Sequence, residues 1–118
     1  MIKIPALRPT LREKTRYIAF QAESQDSITK KDVEQAIKHE LFSFLGATTA
    51  AKAGLKIMNT EMNKGTCTGI IKIERDFVDN VRASLTLTRS INNKPAFIRS
   101  LRTSGMIAKA KEGLPYAN

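Results

Sequence analysis

The hydrophobic period of this chain changes several times along its length, and the order of those changes restricts the fold more than any other feature. Residues 16–23 (RYIAFQAE) set Ile18, Phe20 and Ala22 against Tyr17, Ala19 and Gln21, the two-residue alternation of a strand. Thr29 and Asp32 then stand at capping-box spacing, where each side chain can satisfy a free backbone amide of the other at a helix start. Val33, Ala36, Ile37, Leu41, Phe44 and Leu45 recur at three- and four-residue steps, which predicts an amphipathic helix over 30–45 that Gly46 ends. Residues 47–53 (ATTAAKA) suit a loop or a short helical turn equally. A strand over 54–59, a polar turn over 60–65 and a strand over 66–75 read as a hairpin. Asp76 is placed to cap a second helix, with Phe77, Val78, Val81 and Leu85 on one face. After a turn at 92–94, Pro95 opens an edge-type strand over 95–103, and Ser104 is placed to cap a short last helix around 105–111.

Strand, helix, strand, strand, helix, strand is the order of a split βαβ plan. The expected class is α+β, a ferredoxin-like or RNA-recognition-like α/β sandwich. It has a four-stranded antiparallel sheet, two main helices over one face and a short C-terminal helix. In that plan the first and last strands can lie side by side. Pro5, Pro9 and the absence of either period set residues 1–15 apart as a basic extended arm, ahead of a single domain over 16–118.

Twenty lysines and arginines against eleven acids give a formal charge of +9. Residues 1–20 hold five basic groups and one acid, and residues 89–118 hold six and one. Residues 21–60 (five and five) and 61–88 (four and four) balance, so the surplus lies in the two ends. A basic surplus in two blocks reads as a phosphate-binding footprint; the bland alternative is charge that serves solubility alone. No clear basic amphipathic helix favours a membrane surface, and no apolar run approaches the roughly 20 residues of a membrane-spanning helix. A lone Cys67, with no secretory leader apparent, points to a reducing, cytoplasmic setting.

Catalytic constellations are scarce. His39 lies within the first helix between Lys38 and Glu40 with no second ligand at metal spacing, so it reads as a surface or boundary residue. Cys67 falls in a strand without a histidine nearby, as an inert buried thiol would. Asp76 and Asp79 are explained by a helix start, where the dipole favours anions. Small acylphosphatases share the fold plan, but their glycine-rich phosphate cradle is replaced here by Ser24, Gln25, Asp26 and Ser27. No Walker, Rossmann or nucleophile-elbow spacing occurs elsewhere. A small hydrolase on this fold is therefore the weaker alternative.

RNA-recognition modules stack bases on aromatics of their central strands. Here Tyr17 and Phe20 point to opposite faces, and residues 69–73 (GIIKI) carry no aromatic. Point charge is better provided: Arg8, Arg12, Lys14 and Arg16 near the start, and Arg99, Arg102, Lys109 and Lys111 near the end, are the candidate RNA-binding residues. Arginine forks match phosphate oxygens and position a protein on folded RNA without reading its sequence. For Arg75 and Arg82, salt bridges to Glu74, Asp76 or Asp79 compete with RNA contact.

Several stretches, in order, carry a likeness to a known family. They are residues 7–14 (LRPTLREK) running into 16–20 (RYIAF), 44–46 (FLG) followed by 51–54 (AKAG), 69–75 leading into 76–85 (DFVDNVRASL), and Ser104-Gly105 before the final helix. Together they resemble the archaeal ribonuclease P protein component 2 family over nearly the whole chain. The chain departs from that pattern at Thr15, at Met106 and in a tail without a basic finish. The resemblance implies a protein subunit of ribonuclease P, the ribonucleoprotein that removes the 5′ leader from precursor tRNA. It implies no catalytic residue and no cofactor in the protein, since catalysis would belong to the RNA and its magnesium ions. The implied partners are the catalytic RNA, ribonuclease P protein component 3 as a barrel-like protein partner, and precursor tRNA indirectly. Two such protein pairs would join through this subunit. A generic RNA-recognition-like protein of another ribonucleoprotein, ribosomal or chaperone in type, is the alternative.

Overall fold

Ten residues of extended chain, β1 (Thr15–Ser24), form the middle of the sheet in the computed structural model, which describes residues 14–63 and 65–114. After β1 come helices α1 (Lys30–Leu45) and α2 (Ala47–Ala53), then strands β2 (Lys56–Asn63) and β3 (Thr66–Glu74). A 3-10 turn (Arg75–Phe77) leads into α3 (Val78–Leu87). β4 (Ser90–Ile91), β5 (Lys94–Ser104) and α4 (Ile107–Lys111) complete the chain. The strand order is β2-β3-β1-β5-β4, and every pairing is antiparallel.

The fold is α+β, but the expected four-stranded sheet is corrected to five strands. β4 pairs with the start of β5 across Asn92 and Asn93, whose φ values of 52° and 63° are both left-handed. That is the backbone of a two-residue primed turn, which asparagine tolerates better than most residues. Two residues are too few to show a period, so only the turn was legible. The hairpin is corrected as well. β2 runs on through Asn63, and β3 starts at Thr66. β2 begins at Lys56, because Gly54 ends α2 in the left-handed conformation at φ 69°.

The capping box at α1 forms as expected: the Asp32 amide donates to Thr29 Oγ1 and the Thr29 amide to Asp32 Oδ2, both at 3.1 Å. The other two expected caps do not form. Asp76 lies in the 3-10 turn, and Phe77 stands at the α3 start without a side-chain cap. Ser104 ends β5, and its Oγ accepts from the Met106 amide ahead of α4. Residues 47–53 resolve to a helix.

One face of the sheet carries Ile18, Phe20, Ile71, Ile73 and Ile98 against Val33, Ile37 and Leu41 of α1 and Val81 and Leu85 of α3. Gly69 is opposite Phe20 in the register, and a Cβ there would lie 2.8 Å from the Phe20 ring, so the missing side chain is what seats the ring. Among the described residues, the other face is covered in its middle alone. There Ala110 of α4 lies over Ala19 and Ile70, with Tyr17, Met58, Leu101 and Leu114 around them.

Candidate nucleic-acid interface

β1 is antiparallel to β5, so the chain enters the sheet where β5 leaves it: Tyr17 is opposite Ser104. Arg16 therefore stands beside the turn into α4, where a side chain at Gly105 would begin 3.5 Å from its Nη1, while the Lys14 carbonyl accepts from the Arg75 amide at the end of β3. Arg16 also donates to the Thr15 carbonyl. Its strand position puts it on the α1 and α3 side together with Ile18 and Phe20, so it reaches the α4 turn from the sheet's end.

Arg99 and Arg102 are three residues apart, which in a regular strand would send them to opposite faces. The β1–β5 register shifts by one residue between Ala19 and Phe20, with Leu101 as the extra residue. Arg102 is thereby opposite Ala19, and Arg99 opposite Gln21, both on the α4 face. Lys109 and Lys111 are exposed on α4 itself. Arg102 contacts Glu112 at 3.4 Å, an exposed ion pair of the kind that is worth no more than about 1 kcal/mol. Arg99, Lys109 and Lys111 form no ion pair among the described residues.

The described members of both basic blocks thus meet unevenly. Arg16 adjoins the turn into α4, and Arg102 runs beneath the helix, its Cβ 2.6 Å from where a Gly113 side chain would begin. Arg99 lies further along β5, away from that turn. Arg8 and Arg12, with most of the expected 1–15 arm, lie outside the described residues; Thr15 is already part of β1.

Sequence reasoning missed two cations on this face. Lys56 of β2 is directly opposite Lys72 of β3, and Lys72 is opposite Tyr17. No sequence signal marks their alignment, which depends on the bulge between Met58 and Glu61, where Asn59 takes φ 54°. A regular ladder continued from the Glu61–Thr68 pair would set Lys56 opposite Ile73, on the other face.

Base stacking on the central strands is poorly supplied. Phe20 is fully buried in the helix-side core, and Tyr17 packs into the cluster under α4. Phe97 of β5, opposite Glu23, is the exposed aromatic of this face at 50 % exposure.

Catalytic geometry does not assemble among the described residues. His39 is exposed, and no three His, Cys, Asp or Glu side chains are grouped to hold a metal ion. Cys67 is buried, and burial, reinforced by Glu34, pushes its thiol up to about 11, against a smaller opposing pull from Lys30. A cleft of about 730 Å³ at the far end of β1 includes Ser24, Arg89 and Phe97, but Ser24 Oγ is committed to the Pro95 carbonyl and the Asp26 amide. Arg75 lies 3.9 Å from Asp76, whereas Arg82 forms no ion pair among the described residues. No described helix is long and apolar enough to cross a membrane.

Comparison with known proteins places this arrangement. The family model described as the Rpp14/Pop5 family matches residues 16–114. Ribonuclease P protein component 2 of Pyrococcus abyssi is 37% identical over 111 residues, 94% of this chain and 92% of the relative. The protein of the same description from Thermococcus gammatolerans is 40% identical over 105 residues, covering 89% and 86%. That from Methanocaldococcus jannaschii is 36% identical over 108 residues, covering 92% and 78%. A chain of the cryo-EM structure of yeast ribonuclease MRP shares the fold at a TM-score of 0.61 and 14% identity, over 79% of this chain and 75% of that one. With a family model spanning the whole sheet and relatives alike along almost their full length, the chain belongs to the Rpp14/Pop5 family and is a protein subunit of ribonuclease P.

Proposed function

We propose that this subunit binds the catalytic RNA of ribonuclease P through phosphate contacts and so assists RNA-catalysed removal of the 5′ leader from precursor tRNA. The observation that carries this reading is the antiparallel β1–β5 pairing, which sets Arg16 beside the turn into α4. Arg8 and Arg12 would extend that surface from the N-terminal arm, and Arg99, Arg102, Lys109 and Lys111 would continue it along β5 and α4. The fold is read as ferredoxin-like, with β4 as an added edge ribbon. The protein partner would be ribonuclease P protein component 3, two such pairs would join through this subunit, and the assembly would work in the cytoplasm.

The physical basis is electrostatic. Folding a large RNA brings phosphates together, and fixed cations on a protein lower that repulsion and release condensed counterions. The protein binds no cofactor in this reading, and magnesium serves on the RNA. Replacing Arg8, Arg12, Lys14 and Arg16 together by glutamine is expected to raise the magnesium concentration needed for half-maximal cleavage by the reconstituted complex. It should also flatten the salt dependence of RNA binding by about one unit of slope per lost contact. An unchanged magnesium requirement would reject the proposal.

A further inference from the structure

Lys56 and Lys72 are direct cross-strand partners on the α4 face of the sheet. Like charges directly opposite one another destabilise an antiparallel pair. Nothing described offsets them: neither lysine forms an ion pair or a side-chain hydrogen bond among the described residues. Glu74, two positions along β3 on the same face, has its Cγ 3.8 Å from where a Gly54 side chain would begin and pairs with neither lysine. Lys72 is half-buried between Lys56 and Tyr17, whereas Lys56 is exposed. The fold thus keeps a repulsive pair at a fixed place, and a one-residue bulge in β2 is what aligns it.

We propose that Lys56 and Lys72 form a separate phosphate-binding point for the RNA backbone, distinct from the cations of the two chain ends. The proposal rests on the RNA-binding reading given above. A backbone phosphate placed between the two ammonium groups would turn their repulsion into two charge-assisted contacts. A polyanion fits better than an acidic protein segment, because the same face continues through Arg102 and Arg99 and bears the exposed lysines of α4. A ligand of regularly repeated charge can follow that whole surface.

The test uses the full-length chain and its ribonuclease P RNA, with Lys56→Gln/Lys72→Gln compared against Arg99→Gln/Arg102→Gln/Lys109→Gln/Lys111→Gln. The lysine-pair variant is expected to lower the slope of log affinity against log salt by about 0.9, the share of the one phosphate held between the two ammonium groups. Without RNA, the single variant Lys56→Gln should melt higher at low salt by about 1–3 °C, because repulsion is relieved. Lys56→Arg/Lys72→Arg should keep the parent slope. A lysine-pair slope equal to the parent's, with a reduced slope in the chain-end variant, overturns this proposal and leaves the RNA-binding reading intact. Parent slopes in both variants overturn both. In the reconstituted complex with its protein subunits, loss of a protein partner from the lysine-pair variant, with its RNA salt slope unchanged, assigns the pair to an acidic protein surface and also overturns the proposal.

Discussion

Gly69 lies in the middle of β3, where a strand former would ordinarily serve better, because the Phe20 ring occupies the space a side chain would need. Gly69→Ala is expected to lower stability by about 1–3 kcal/mol, since the ring is closed in by the helix-side core and can yield only by leaving its rotamer; a denaturant melt of the variant checks it. Two residues earlier, Cys67 is neutral when folded, because burial holds its thiol near 11. In the unfolded chain the thiol ionises lower, from about 9. The stability it contributes is therefore full below pH 9 and is lost as pH rises toward 11. Urea midpoints compared at pH 8 and pH 10.5 should fall further for the parent than for Cys67→Ala. Both residues were visible in the sequence, Cys67 as an inert thiol and Gly69 only as part of a family likeness. The reason for Gly69 appears once the register sets Phe20 against it.

Among the elements, α4 depends most on its context. Five residues are too few for a helix to persist alone in water, so its docking rests on Ala110 over Ala19 and Ile70. The Arg102–Glu112 pair, exposed at both ends, adds little. Ala110→Asp would place a carboxylate in that apolar contact and is expected to undock the helix at a cost of about 2 kcal/mol. NMR should then show changed surroundings for Tyr17, Met58 and Leu101, while Phe20, Ile37 and Leu85 keep theirs; equal disturbance of both clusters would contradict separate docking. α1 was legible in full because its cap and its stripe are local features. The starts of α3 and α4 were not: Asp76 and Ser104 have the right chemistry for caps, but a 3-10 turn and an extended β5 displace both helix starts.

At the level of the whole molecule, the sheet's two faces divide its work. α1 and α3 close one face into the core, while among the described residues short α4 covers the centre of the other and has cations around it. This explains why charge blocks counted along the chain described the surface incompletely. Residues 21–88 balance in sum, yet Lys56 and Lys72 lie on the same face as Arg99 and Arg102. Of the first basic block, Arg16 meets the turn into α4, while Arg8 and Arg12 are beyond the described residues.

Hydrophobic spacing, the Thr29–Asp32 cap and the clustering of charge at both ends were set by residues close in sequence, and local physics was enough to read β1, β3, β5, α1 and the basic character. The face that each cation occupies was decided only in the folded sheet. Side chains alternate at every residue, so the single-residue slips at Asn59–Thr60 and at Leu101 invert everything beyond them. Those slips depend on how neighbouring strands pair, which no window of sequence contains.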